Sequence, residues 1–253
     1  MRVRASAFIA IAAVVVLPSA AIAQINVITS GGFAAAYREV LPEFERTTGI
    51  TVTTTTGASQ GSGPNTIGAQ LRRGIPADVV IMSREGLDEL IADGRTQPGT
   101  ATNLAMTPLG MAVRAGAPKP DISTVEAFKQ TLLRAKSITF ASSTTGIYLT
   151  TMLFPRLGVA SEMAAKSTTA AVAAVARGEA ELAIQPVSEL LHVAGTEFVG
   201  PIPKDIQYIS VFAAAAVAGT KELEKAERLI AFLNSDSAAA AITKTGMEPV
   251  KSR

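Results

Sequence analysis

Three short clusters of serine, threonine and glycine are the residues of this chain best suited to chemistry on a ligand. They are Ser30-Gly31-Gly32, the glycine-rich segment 57–63, and the segment 142–146, which reads Ser-Ser-Thr-Thr-Gly. Each cluster follows a β-branched apolar run and precedes a helix-like stretch, so its N–H groups and hydroxyls are expected at a helix N-terminus. Unpaired donors in that position suit a small anion.

From these clusters and their neighbours we predict a set of ligand-binding residues. The set comprises Ser30, Gly31, Gly32, Ser59, Gln60, Ser83, Arg84, Thr144, Thr145, Gly146 and Gln185. For each hydroxyl the alternative is a helix cap without a ligand. Arg84 has two interpretations as well, because its guanidinium suits a carboxylate ligand but acids such as Asp88 lie close in sequence.

Other kinds of chemistry have less support. Proton transfer would have to use Glu85, Tyr148, Glu189 or His192, and no spacing singles out one of them. No metal site and no cofactor are predicted, because the chain has one histidine, no cysteine and no carboxylates at ligand spacing. A Ser-His-Asp hydrolase is disfavoured by the absence of a G-x-S-x-G motif.

The elements that must position these clusters alternate regularly in the first half of the chain. Strands are predicted at 25–29, 50–56 and 79–82, and helices at 33–48, 65–73 and 85–92. This β-α-β-α-β-α order is typical of an α/β fold whose parallel sheet is covered on both faces. Gly49 is predicted to end the first helix.

The second half continues the α/β pattern. Strands are predicted at 109–113, 137–141 and 182–184, and helices at 147–157, 170–176, 187–191, 221–233 and 237–245. A further helix is predicted to start at Asp121 or Ser123, with Glu126 completing a capping box. Two long extended runs, 104–114 and 206–218, are expected to cross between two lobes. We therefore predict lobe I as 24–108 plus 213–253, lobe II as 109–212, and a ligand cleft between them.

The N-terminus and the charge balance bear on location and partners. Residues 1–23 have the basic start, apolar run and Ala21-Ile22-Ala23 ending of a cleavable signal peptide, which predicts export to the periplasm with Gln24 first. The net charge of +2 comes from Arg2 and Arg4, and the remainder balances. Neither nucleic-acid binding nor membrane insertion is predicted, and a monomer is expected.

Three segments of the chain carry a family resemblance. They are Phe44-Glu45-x-x-Thr48-Gly49-Ile50, Gln70-Leu71-x-x-Gly74-x-Pro76-Ala77-Asp78-Val79 and Gly246-Met247-Glu248-Pro249. In these segments the chain resembles the periplasmic molybdate-type (ModA-like) solute-binding proteins of ABC transporters. The resemblance implies a type II periplasmic binding protein whose two lobes close on a small anion without a cofactor. It also implies an ABC permease as partner.

Two features favour an organic carboxylate as the anion at least as strongly as an oxyanion. Molybdate-type proteins use a tyrosine hydroxyl from a late loop, but the matching stretch here, 184–189, contains no tyrosine. Arg84 also offers a cation near the predicted site. The segment 114–123 resembles a subgroup of the family, the aconitate isomerases. A cofactor-free isomerase that interconverts cis- and trans-aconitate is therefore the alternative function.

Overall fold

The computed structural model describes residues 24–250. The first half of this range contains β1 (Gln24–Thr29), α1 (Gly31–Thr48), β2 (Thr51–Thr56), α2 (Ile67–Arg72), β3 (Val79–Ser83), α3 (Arg84–Ala92) and β4 (Thr102–Arg114). Strand β1 pairs in parallel with both β2 and β3. The predicted β-α-β-α-β-α start is therefore confirmed. The predicted signal peptide lies outside the described residues.

The second half is built from shorter elements. They are α4 (Val125–Arg134), β5 (Ile138–Thr139), α5 (Thr144–Tyr148), a π-helical turn (Leu149–Leu153), α6 (Phe154–Leu157), α7 (Ala160–Lys166), β6 (Ser167–Thr168), α8 (Ala173–Ala176), β7 (Leu182–Pro186), α9 (Val187–Leu190) and β8 (Thr196–Pro201). A 3-10 turn (Lys204–Ile206), β9 (Ile209–Ala216), α10 (Leu223–Leu233), α11 (Asp236–Lys244) and β10 (Glu248–Pro249) complete the chain.

One continuous set of strand pairings links the two halves. Its order is β2-β1-β3-β9-β4-β7-β5-β6, and β8 and β10 also pair with β4. Strand β9 is antiparallel to β3 and to β4, so the sheet is mixed rather than purely parallel. The first part of β4 pairs with β9 and its last part pairs with β7 and β8.

Separate hydrophobic cores form on the two sides of this β4–β9 pair. On one side α1 turns Phe33, Tyr37 and Phe44 towards β1, β3 and α10, as the helical spacing of its apolar residues predicts. On the other side Phe128 and Phe154 pack with the apolar faces of β4 and β7. We call these bodies lobe I and lobe II. The exact domain boundaries remain a prediction.

The lobes meet where β4 and β9 run side by side. Pro108 of β4 lies opposite Ile209 of β9, and a proline has no N–H to donate to the ladder. The next residue, Leu109, donates its N–H to the side-chain oxygen of Gln207 at 2.8 Å. The Gln207 amide nitrogen in turn donates to the Leu109 carbonyl at 3.1 Å. The same Leu109 N–H also donates to the Tyr208 carbonyl at 3.2 Å, so a side-chain amide supplements the backbone hydrogen bond at the junction.

Several sequence predictions of local structure were confirmed and others were wrong. Gly49 ends α1 in the left-handed conformation, with φ of 70°. The predicted cap of α4 was wrong, because the side chain of Thr124, not Asp121 or Ser123, accepts the N–H of Ala127. Helix α7 and strand β8 were missed. Within residues 24–250 no helix has the length and apolar character that crossing a bilayer requires.

Candidate ligand-binding site

A small cavity of about 110 Å³ lies between the lobes. Its lobe I wall is formed where β1 and β3 end and α1 and α3 begin, and its lobe II wall comes from the segment before α5 and from α9. The lining residues are Ser30, Gly31, Gly32, Ala58, Ser59, Ser83, Ala141, Ser143, Thr144, Thr145, Pro186, Glu189, Ser210 and Phe212. Seven of the predicted ligand-binding residues therefore come together here: Ser30, Gly31, Gly32, Ser59, Ser83, Thr144 and Thr145.

The N-terminus of α1 presents uncommitted polar groups to the cavity. Ser30 occupies the N-cap position with extended backbone, but its hydroxyl makes no capping bond. The Ser30 Oγ is buried and has no hydrogen-bond partner. The first turn of a helix also leaves backbone N–H groups without intrahelical acceptors. A buried donor of this kind is costly unless something binds it, so Ser30 is suited to a ligand.

Glycine is required at position 32 for close packing. A Cβ built on Gly32 would overlap the ring of Phe212, which also lines the cavity. A Cβ on Gly31 would lie 3.2 Å from Oε2 of Glu189. The absence of side chains here lets the ring and the carboxylate approach the start of α1.

The hydroxyls of Ser59 and Ser83 fix the rest of the lobe I wall. Ser59 Oγ accepts the N–H of Ser83 at 2.9 Å. Ser83 Oγ accepts the N–H of Gly86 at 3.3 Å, which caps α3. Both serines thus have structural roles, as the capping alternative predicts, and both residues also line the cavity.

Hydrogen bonds that line or border the cavity cross the cleft and hold the lobes together. The hydroxyls of Ser83 and Thr144 share a hydrogen bond of 2.8 Å, and the Gln60 N–H donates to Ser143 Oγ at 3.0 Å. Ser188 Oγ donates to the Gly32 carbonyl at 2.8 Å, and the hydroxyl of Tyr208 donates to Oε1 of Glu85. The structure is therefore a closed form.

Arg84 does not line the cavity. It begins α3, and its Nε and Nη2 donate to Oδ1 of Asp88, one turn further along the helix, at 2.9 and 2.5 Å. Its Nη1 donates to Oδ1 of Asn103 at 3.4 Å. The geometry gives no support to Arg84 as the cation that meets the ligand, because the guanidinium is engaged outside the cleft.

Three other predicted residues also lie outside the cavity lining. The side chain of Gln60 donates to Glu89 on the surface at 2.6 Å, and only its backbone reaches lobe II. Gly146 allows α5 to pack against the carbonyl of Ala141, which a Cβ would overlap. Gln185 is buried, with 2% of its surface exposed, but it lines a neighbouring groove rather than the cavity.

This neighbouring groove, which we call the outer groove, is open and has a volume of about 710 Å³. It adjoins the cavity through Gly31, Ala141 and Glu189, which line both. Arg38 and Gln185 lie in the outer groove. The cleft therefore has a small inner part and a larger, more open outer part.

Among the candidates for proton transfer, Glu189 has the most suitable position. It is the single ionisable side chain among the described residues of the cavity lining. No hydrogen bond or ion pair of its carboxylate is found in residues 24–250. Burial raises the pKa of Glu189 from 4.5 to about 7. Its charge state therefore changes near neutral pH.

The other three candidates are occupied elsewhere. The Tyr148 hydroxyl donates to the Ile206 carbonyl at 3.0 Å, and its ring stacks on that of Tyr208 with 4.7 Å between centroids. Burial and the hydrogen bond to Glu85 raise the pKa of Tyr208. His192 has a φ of 67° and lies in the outer groove, with Nε2 3.3 Å from the Lys244 carbonyl oxygen.

Sequence reasoning missed Ser210 and Phe212. Both belong to β9, which was expected only as a crossing between lobes. Ser210 is the one polar residue among eight in the strand, and a polar residue in an apolar run was the available signal.

Comparison with known protein families identifies the family to which the chain belongs. A model of the family described as bacterial extracellular solute-binding protein matches residues 25–248. This chain belongs to that family. A curated relative in Pseudomonas sp., named aconitate isomerase, is 40% identical over 233 residues, which is 90% of this chain and 89% of that protein.

Solved structures confirm the predicted two-lobed fold of this solute-binding protein. The periplasmic molybdate-binding protein of Azotobacter vinelandii superposes with a TM-score of 0.71 at 20% identity, covering 90% of this chain and all of that one. AgtB of A. tumefaciens R10, in complex with agropinic acid, gives 0.69 at 15% identity, covering 90% and 83%. The resemblance to molybdate-type binding proteins is therefore confirmed at the level of the fold.

Proposed function

We propose that this protein binds a small anion, an organic carboxylate or an oxyanion, in the cavity between its lobes. The observation that carries the proposal is the buried, unpartnered hydroxyl of Ser30 beside the start of α1. Helix N–H groups and hydroxyls are donors that can hold an anion without a formal positive charge. As a member of its family it would act in the periplasm and deliver the ligand to an ABC permease.

A carboxylate is the favoured ligand class. The aconitate isomerase name of the 40%-identical relative refers to a carboxylic acid, and AgtB holds agropinic acid in a similar fold. The absence of tyrosine from the cavity lining of the described residues also separates this site from the expected molybdate pattern.

A panel of anions tests this proposal. Thermal unfolding is measured with molybdate, sulfate, phosphate, citrate and tricarballylate, since a ligand that binds the folded state raises the unfolding midpoint. We expect carboxylates to stabilise the protein. Ser30→Ala should weaken that effect about tenfold in affinity. Ser167→Ala is the matched control, because Ser167 Oγ is also buried without a partner but lies on β6. No stabilisation by any anion would refute the proposal.

A second candidate function is isomerisation of aconitate, which the 40%-identical relative favours. In this reaction one C–H bond breaks at the methylene carbon, the double bond shifts, and a C–H bond forms at the former vinylic carbon. The atoms balance without a co-reactant. Glu189 is the lining residue that could carry the proton.

Proton NMR of cis-aconitate with the purified protein in D₂O tests this second candidate. Appearance of trans-aconitate with deuterium in the methylene group would support it, and loss of turnover in Glu189→Gln would identify the proton carrier. If cis-aconitate bound without conversion or deuterium exchange, isomerisation would be refuted and ligand binding for transport would remain as the function.

A further inference from the structure

The outer groove provides a place for a second part of the ligand. The inner cavity, at about 110 Å³, has room for one carboxylate or one oxyanion rather than for a branched polycarboxylate. The outer groove of about 710 Å³ shares three lining residues with it. A ligand whose first anionic group lies at α1 therefore has a continuous path into the groove.

Helix α1 places a cation, the guanidinium of Arg38, beside this path. Gly31, Ala34, Ala35 and Arg38 all line the outer groove, and residues spaced by three, four and seven positions share one face of a helix. Two turns at 1.5 Å per residue place Arg38 roughly 10 Å along the axis from Gly31. The small residues between them leave the groove open from the cavity to the guanidinium.

Arg38 has no competing partner within residues 24–250. It is exposed, and no hydrogen bond or ion pair of its side chain is found within the described part of the chain. Its sequence neighbour Glu39 pairs with Lys244 at 2.9 Å instead. This differs from Arg84, whose guanidinium is engaged by Asp88.

A buried polar group points to a ligand independently of Arg38. Gln185 lines the outer groove, is 2% exposed, and its Oε1 is buried without a hydrogen-bond partner. Buried side-chain amides are normally paired. A side-chain amide can also turn so that either its oxygen or its N–H₂ meets a ligand.

We propose that the outer groove holds a second carboxylate of the same ligand through Arg38 and Gln185. This inference rests on the carboxylate binding proposed above. The ligand class is then a di- or tricarboxylate that spans both parts of the cleft. An arginine fork matches a carboxylate in two parallel hydrogen bonds, which a hydroxyl-lined site cannot supply.

Calorimetric titration with two probes tests the inference. The probes are tricarballylate, a saturated tricarboxylate that has no double bond to isomerise, and sulfate, which is too small to span both sites. Arg38→Gln should weaken tricarballylate about tenfold or more, because it removes a charge-assisted pair, and should leave sulfate within about twofold. Arg84→Gln is the matched control and should alter neither.

A second variant keeps the test informative. Gln185→Glu places a negative charge where the distal carboxylate would lie, so it should weaken tricarballylate more than sulfate. Equal loss for both probes, or unchanged tricarballylate binding in Arg38→Gln, would overturn the outer-groove inference alone. Tight binding of sulfate without tricarballylate would also overturn it. Failure of every anion to bind the wild-type protein would instead refute the proposed function.

Discussion

Ser83 and Thr144 join the two lobes directly, hydroxyl to hydroxyl, at 2.8 Å. Ser83 ends β3 and caps α3 in lobe I, whereas Thr144 opens α5 in lobe II. Both line the cavity. One of the bonds that close the cleft is therefore made by two of the residues predicted to bind the ligand.

Removing the two hydroxyls should have unequal effects. Thr144→Val keeps the side-chain shape and loses only the bond across the cleft, so we expect a loss of about 0.5–1.5 kcal/mol in unfolding free energy. Ser83→Ala loses the α3 cap as well, which adds about 1 kcal/mol. Urea unfolding of the two single variants and of the double variant measures both losses of unfolding free energy. Strictly additive effects would contradict a direct Ser83–Thr144 bond.

Replacement of Gly32 by alanine should destabilise the protein. The added methyl group overlaps the Phe212 ring, and overpacking of this kind costs about 1–3 kcal/mol. Gly63→Ala is the matched control, since a Cβ there meets nothing within 4 Å. Thermal unfolding should show a loss for the first variant only. Partial rescue of Gly32→Ala by Phe212→Leu would identify the ring as the obstacle.

Stability should fall as the pH rises through the titration of Glu189. Burial raises the pKa of this group from 4.5 to about 7 in the folded state. The folded protein therefore holds the proton more tightly than the unfolded chain, so the stabilisation is complete below about pH 4.5 and is lost by about pH 7. Glu189→Gln should remove this dependence and be more stable above pH 7, on the order of 1–3 kcal/mol.

Thermal unfolding between pH 4 and 8.5 measures that effect. Glu227→Gln, on the exposed face of α10, is the control and should follow the wild-type curve. A Glu189→Gln curve parallel to that of the wild-type protein would contradict the buried-carboxyl explanation. Anion affinity should fall over the same pH rise, because ionised Glu189 repels a like charge in the cavity.

Loss of the Tyr208 hydroxyl should cost more than loss of the Tyr148 hydroxyl. Tyr208 donates to Glu85, whose Oε2 is already buried without a partner, so Tyr208→Phe leaves a carboxylate poorly satisfied. We expect about 1–3 kcal/mol for this variant. Tyr148 donates to a carbonyl, and Tyr148→Phe should cost about 1 kcal/mol. Equal unfolding free energies for the two variants would contradict this difference.

The sequence allowed prediction of those parts of the site that depend on local pattern. Ser30, Ser83 and Thr144 each stand where a strand gives way to a helix, and the turn from extended to helical backbone is visible in residue types. The order of the elements and the two long extended runs, 104–114 and 206–218, predicted two lobes, and the family resemblance implied the same arrangement.

Side-chain direction and long-range pairing could not be predicted. Arg84 directly follows Ser83, which lines the cavity, yet its guanidinium extends along α3 and donates to Asp88. Arg38 is not among the predicted residues, because nothing local indicates that a helix surface two turns from Gly31 faces lobe II. The sequence offers Glu189 as one of four equal candidates, and its burial and the absence of a partner within the described residues distinguish it from the others.

The Gln207–Leu109 pairing has a mechanical consequence for the closed cleft. Next to Pro108, the Leu109 N–H is shared between the Tyr208 carbonyl and the side chain of Gln207, so a removable side chain reinforces the backbone at the joint between the lobes. Loss of the Gln207 side chain is thus expected to loosen the β4–β9 pair at this rung and not at the others. Gln207→Ala would then speed amide exchange at Leu109 while leaving distant rungs protected, so the rate of opening could be tuned without altering any residue that meets the ligand.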